Sequence, residues 1–119
     1  MKEVEEWLKR AEKDLRTAKV NLENQEYEAC AFFSHQAAEK ALKALYILKF
    51  KRLWKIHDLE KLCSVLKAGK KITNISRKLN PHYIETRYPV ETEYTEKVAK
   101  AALEGAKEVV KWVKGKLRK

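Results

Sequence analysis

Apolar residues recur at alternating steps of three and four along the N-terminal half of the chain, which is the period of one face of an α-helix. The first stripe consists of Val4, Leu8, Ala11, Leu15, Ala18 and Leu22. Asn24-Gln25 ends this helix, and a second long helix is predicted from Tyr27 to about Phe50. Because the connection is short, the two helices should pack antiparallel.

Two shorter helices are predicted in the middle of the chain. Asp58 can cap the first of them, since its carboxylate can accept the free amide hydrogens of the first turn, and Ala68-Gly69 ends it. Asn80-Pro81 has the form of a cap followed by proline at the first helical position, which predicts a short helix to about Arg87.

A last helix is predicted from Thr92 or Thr95 to Lys116. Its apolar stripe is Val98, Ala102, Gly105, Val109 and Trp112. No segment alternates apolar and polar residues as a half-buried strand does. The sequence therefore predicts one all-α domain over residues 1–119, an up-and-down bundle of four main helices plus a short extra helix.

The charge balance favours an anionic partner. The chain has 27 lysines and arginines against 17 acidic residues, a net charge of +10. It lacks an apolar run long enough to cross a membrane and the charge order of a signal peptide, so we predict a cytoplasmic protein without membrane association. Cys30 and Cys63 lie in apolar helical patterns, which predicts buried free thiols; we predict no metal and no cofactor.

The stretch FFSHQAAEKALKALY, residues 32–46, carries two adjacent rows of polar side chains on an alanine-rich helix. One row contains His35, Glu39 and Lys43, and the other contains Gln36, Lys40 and Lys43. In one interpretation the rows are solvated, with Glu39 paired to Lys43. In the other, the alanines admit a second helix, and the polar groups bond across a groove or a dimer seam. The sequence leaves both open.

Four motifs in this order resemble the HEPN domain family of small prokaryotic proteins: WLKRAEKDL from Trp7, HQAAEKALKAL from His35, HDL from His57 and HYIETRYP from His82. The resemblance implies a helical bundle that forms two-fold dimers and is often encoded beside a minimal nucleotidyltransferase as a toxin–antitoxin pair. In ribonuclease members an arginine is followed four to six residues later by a histidine, with a tyrosine two residues beyond. The partner can adenylylate that tyrosine.

Arg87 and Tyr94 match this family motif in register, but Thr92 stands where the histidine is expected. Imidazole can transfer protons near neutral pH and a threonine hydroxyl cannot. We therefore predict a non-catalytic member, with Tyr94 as the residue that a partner would modify.

The resulting functional prediction is a homodimer that binds a nucleotide-type ligand or RNA and acts with a minimal nucleotidyltransferase. The residues predicted to hold the ligand are Gln36, Lys40, Lys43, Tyr83, Arg87 and Tyr88. The cations suit phosphates and the tyrosines suit stacking on bases, with the basic cluster Lys49, Lys51 and Arg52 as a further phosphate site. For the tyrosines, packing in the core with the hydroxyl at the surface is the alternative.

Two other functions remain open. One is a metal-independent ribonuclease toxin that uses Arg87 with His82 or with a histidine of a second subunit; the other is a pure protein-interaction module. Arg52 and His57 also have the four-residue spacing, but they lie in the loop before the third helix, whereas the family places its catalytic pair elsewhere. His57 is therefore predicted to be a hinge or helix-start residue beside Asp58.

Overall fold

The chain is mainly helical in its computed structural model, which describes residues 1–88 and 93–118. In these residues six helices follow one another: α1 (Lys2–Glu23), α2 (Tyr27–Phe50), α3 (Leu59–Leu66), α4 (Gly69–Leu79), α5 (Pro81–Glu85) and α6 (Glu96–Leu117). The same two ranges contain no strand. The all-α class and the bundle predicted from the sequence are confirmed.

Helix α2 is the centre of the bundle, because it contacts each of the other five described helices. It packs most extensively on α1, where Ala11 and Ala18 allow a close approach to the alanines of α2, and then on α6. A helix surrounded in this way has no fully solvated face. Polar side chains in the middle of α2 are consequently placed inside the bundle.

Helix α4 was not predicted from the sequence, which indicated only the end of α3 there. Lys67 ends α3 in the left-handed conformation, and Gly69, with φ of 83°, helps to reverse the chain. The buried face of α4 consists of Ile72, Ser76 and Leu79. Ser76 accepts a hydrogen bond from the thiol of Cys63 at 3.2 Å, so this face is partly polar, although Ile72, Ile75 and Leu79 keep the helical steps of three and four.

Helix α6 begins at the predicted cap, since Thr95 Oγ1 accepts the amide hydrogen of Val98 at 3.2 Å. Its buried face differs from the predicted stripe. The buried residues are Ala99, Ala102, Leu103, Ala106, Val109, Val110 and Val113. The physical reason is that α6 packs against α1, α2 and α4 together, which buries a broader and rotated face and leaves Val98, Gly105 and Trp112 half-buried at its margin.

Cys30 and Cys63 are buried free thiols, as predicted. Burial raises the pKa of both thiols, which keeps them protonated and unreactive at neutral pH. Within the described parts of the chain, no helix combines the length and the hydrophobicity that a membrane crossing needs.

Candidate functional site

The polar residues of α2 form a buried ion cluster around Glu39, which is only 3% exposed. One carboxylate oxygen, Oε2, accepts a hydrogen bond from Lys43 Nζ at 2.9 Å. The other, Oε1, accepts one from His57 Nδ1, also at 2.9 Å. The Glu39–Lys43 pair expected on a solvated face therefore exists inside the bundle. Because both of its oxygens have charged or polar partners, this buried carboxylate is well satisfied.

Lys40 and Gln36, in the second row, are half-buried. Lys40 Nζ lies 2.6 Å from Asp14 Oδ2 and so joins α2 to α1 by an ion pair. Lys43 Nζ, besides its bond to Glu39, lies 5.9 Å from the ring of Trp7. The predicted contact of Lys40 and Lys43 with phosphate stays a prediction; the structure places both ammonium groups against carboxylates within the fold.

His35 anchors the loop that follows α2. Its side chain is fully buried, and its Nε2 lies 3.1 Å from the backbone carbonyl of His57. A carbonyl only accepts, so Nε2–H donates. Burial lowers the pKa of His35, which keeps the ring neutral despite the nearby Glu39 carboxylate. The loop backbone is thereby fixed on α2, with the His57 side chain reaching Glu39.

His57, Tyr83 and Arg87 meet beside this cluster and define what we call the Tyr83 surface. The imidazole of His57 stacks on the ring of Tyr83, with ring centroids 4.1 Å apart and planes at 14°. The guanidinium of Arg87 lies over the same ring, 4.7 Å from its centroid. Arg87 is exposed, and the His57 side chain is 48% exposed. The structure thus brings together two of the predicted ligand residues, Tyr83 and Arg87, with His57, which was not predicted to hold the ligand.

A pocket of about 320 Å³ adjoins the Tyr83 surface, lined by His57, Asp58, Asn80, Tyr83 and Ile84. Asp58 caps α3 as predicted, because its Oδ1 accepts the amide hydrogens of Glu60 and Lys61 at 3.0 and 3.2 Å. Burial alone would raise the pKa of Asp58, but the hydrogen bonds from Asn80 and these two amides outweigh it and lower the pKa. The floor of the pocket is therefore ionised and rigid.

Asn80 does not cap its own helix α5, contrary to the prediction, although Pro81 does stand at the first helical position. Instead its Oδ1 accepts the amide hydrogen of Leu59 at 2.7 Å and its Nδ2 donates to Asp58 Oδ1 at 2.9 Å. Asn80 satisfies an orphan amide of α3 rather than of α5. These bonds tie the start of α5, and hence Tyr83, to the start of α3.

His82 and Tyr94 form a separate pair, with His82 Nδ1 3.0 Å from the tyrosine hydroxyl. Burial lowers the pKa of His82, which favours a neutral imidazole, and the tautomer of that ring sets whether Nδ1 or the hydroxyl donates. Burial and the nearby carboxylates of Glu85 and Glu28 raise the pKa of Tyr94 to about 12. Tyr88 is exposed. Thr92 lies outside the described residues, so its place in the motif stays a prediction from the sequence.

The Glu39–His57 pair was missed in the sequence because its members are 18 residues apart on different elements. No helical or metal-type spacing links them. The available signals were the HDL motif at residues 57–59 and an ionisable residue in the middle of an alanine-rich helix. Without the number of helices around α2, neither signal indicates burial.

The chain is a small all-helical domain. Its central helix carries a buried charged cluster, which lies beside an exposed arginine and a tyrosine. A family model described as the HEPN domain matches residues 4–116. The chain belongs to the HEPN domain family.

Two solved structures are similar over nearly the whole chain. TT1696 from Thermus thermophilus is 28% identical, with a TM-score of 0.90, covering 98% of this chain and 99% of that one. ST0689, described as an archaeal HEPN homologue, is 31% identical, with a TM-score of 0.79 and 98% of both chains covered. A comparison with curated proteins gives no match.

Proposed function

We propose that this HEPN protein binds a nucleotide-type ligand or RNA at the Tyr83 surface and acts, as a homodimer, with a minimal nucleotidyltransferase in a toxin–antitoxin-like pair. The observation that carries the proposal is the exposed guanidinium of Arg87 over the ring of Tyr83, next to the half-exposed imidazole of His57. An arginine beside an imidazole can hold a phosphate, and the Tyr83 ring supports both groups, since His57 stacks on it and Arg87 lies over it.

The charge around this surface supports an anionic ligand. No aspartate or glutamate occurs between Glu39 and Asp58, a segment that leads directly to His57. The exposed cations of this segment at the end of α2 and in the following loop are Lys49, Lys51, Arg52 and Lys55. Phosphates bound by Lys and Arg release counterions, so binding of RNA should weaken as salt is raised.

Binding without cleavage is favoured by the residues around Arg87. Threonine at position 92 supplies no imidazole, and the His82 Nδ1 atom is engaged by Tyr94. Among the residues that the structure describes, the one imidazole beside Arg87 is that of His57, whereas cleavage needs both an acceptor for the 2′-hydroxyl proton and a donor for the leaving oxygen. The ribonuclease alternative would appear as metal-free cleavage of RNA that is lost in Arg87→Ala.

We expect Arg87→Ala to weaken binding of a short single-stranded RNA by about ten- to hundredfold, because it removes a charged contact to phosphate and the cation beside Tyr83. Fluorescence anisotropy of a labelled RNA at fixed salt measures this. Arg16→Ala is the matched control, since it removes the same charge from an exposed position on α1, which α5 does not contact among the described helices. Equal losses of RNA affinity in the two variants would show that binding depends only on net charge, and would contradict the proposed site.

Tyr94 is the proposed site of modification by the nucleotidyltransferase. The raised pKa of Tyr94, about 12, keeps its hydroxyl protonated. His82 Nδ1 lies 3.0 Å from this hydroxyl and is placed to take the proton when the oxygen attacks the α-phosphorus of ATP and pyrophosphate leaves. Co-expression with a minimal nucleotidyltransferase encoded beside this gene should add the mass of one or more AMP groups. We expect Tyr94→Phe to abolish the addition and Tyr88→Phe to retain it; an unchanged Tyr94→Phe spectrum would exclude this residue.

A further inference from the structure

The three histidines of the chain differ in what their rings can offer to a ligand. His35 is fully buried, and both of its nitrogens lie within hydrogen-bond distance of Gln36 or of the His57 carbonyl. His82 is bonded to Tyr94 and lines an apolar groove between α4 and α6. His57 is half-exposed, and only its Nδ1 atom has a hydrogen-bond partner within residues 1–88 and 93–118. Its Nε2 is available at the rim of the pocket beside Tyr83.

We propose that His57 contacts the phosphate of the bound ligand through Nε2, that Glu39 is the residue that positions it, and that the ligand carries a nucleoside phosphate. This inference rests on the proposed function and assigns a specific contact to it. Two restraints orient the ring: the hydrogen bond from Nδ1 to Glu39 at 2.9 Å and the stack on Tyr83 at 4.1 Å. A ring held on one edge and one face presents its remaining nitrogen in one direction without further loss of conformational freedom.

The charges of the cluster favour an anion at this nitrogen. Glu39 carries −1 and Lys43 carries +1, and the two are paired at 2.9 Å. Because the Nδ1–H group donates to Glu39, Nε2 can donate to a phosphate when the ring carries both protons, and the three residues then carry +1 together. Arg87 adds a second cationic donor on the same Tyr83 ring. Two donors held on one ring suit the oxygens of a phosphate.

The other charged and titratable groups near His57 do not cancel this preference. They come from α2, from the loop and the start of α3, and from α5 with its following turn: His35, Glu39, Lys43, Lys55, Asp58, Tyr83 and Arg87. Asp58 is the carboxylate on the pocket side and is hydrogen-bonded to two amides of α3 and to the Asn80 side chain. The cations Lys43, Lys55 and Arg87 outnumber the two carboxylates, Glu39 and Asp58, by one. The His35 ring is kept neutral by burial, which lowers its pKa.

The test compares AMP with adenosine by calorimetry, because the difference between the two affinities isolates the phosphate. We expect the wild-type chain to bind AMP more tightly than adenosine. His57→Asn should weaken AMP binding by about tenfold and leave adenosine binding unchanged, because asparagine can still donate to Glu39 from the position of Nδ1 but has no group at the position of Nε2. Arg16→Ala, the control for Arg87→Ala, serves here as well and should leave both affinities unchanged.

Nitrogen NMR of the imidazoles provides a second measurement that does not depend on a variant. Addition of AMP to the wild-type chain should shift the Nε2 resonance of His57 and leave those of His35 unchanged, whereas adenosine should leave the Nε2 resonance of His57 in place. An AMP-to-adenosine affinity ratio that is the same in His57→Asn and in the wild type would overturn the inference but not the proposed function. If the wild-type chain binds neither AMP nor RNA, both the inference and the proposed function are overturned.

Discussion

Replacing Lys43 by methionine is expected to lower the free energy of unfolding by about 3 to 5 kcal/mol. The methionine has nearly the same length and fills the same space, but it leaves the buried carboxylate of Glu39 without the ammonium group that lies 2.9 Å away. Glu39 is 3% exposed and cannot recover this interaction from water. Urea unfolding followed by circular dichroism measures the change.

Lys100→Met is the matched control for this prediction. Lys100 pairs with Glu96 at the same spacing of four residues on α6, but both side chains are exposed. Such a pair contributes less than about 0.5 kcal/mol, because water screens it. Equally small changes in the free energy of unfolding for Lys43→Met and Lys100→Met would show that the ion cluster of α2 does not stabilise the fold. The proposal that this cluster orients His57 would then lose its support.

Leu42→Ala is expected to destabilise the chain by about 2 to 5 kcal/mol, since it removes three carbon atoms from the core and leaves a cavity. Leu42 is 0% exposed and lies on α2, the helix on which all the others pack. The same substitution at Leu53, which is 39% exposed in the loop after α2, should cost less than about 1 kcal/mol. Similar unfolding midpoints for the two variants would contradict the assignment of α2 as the centre of the core.

The predicted helices α1, α2, α3 and α5, the cap residue Asp58 and the start of α6 were recoverable from the sequence to within a few residues. These features depend on interactions within one or two helical turns: the apolar period, the caps, and proline at the first turn. Helix α4 was not predicted, although Ile72, Ile75 and Leu79 recur at helical steps. It begins directly after the helix end at Ala68-Gly69 and has no capping side chain that would mark a new helix.

Two residues of the candidate site could also be selected from the sequence. Tyr83 and Arg87 were selected for their chemistry and for the family motif around them, and the structure places them in contact at 4.7 Å. His57 was predicted to be a hinge or helix-start residue beside Asp58, and sequence spacing gives no indication that its side chain reaches Glu39. Its role depends on the loop that His35 fixes from inside the bundle through the His57 carbonyl.

The positive charge of this chain follows from its composition, and the positions of most of its helices can be inferred from residue types and their periods, which depend on neighbours a few positions away. Which polar residues of α2 are buried depends on the five helices that pack around it. Burial turns the Glu39–Lys43 pair from a weak surface contact into a charged support for His57. The change results from the removal of water around this pair, and water is removed only when the helices pack together.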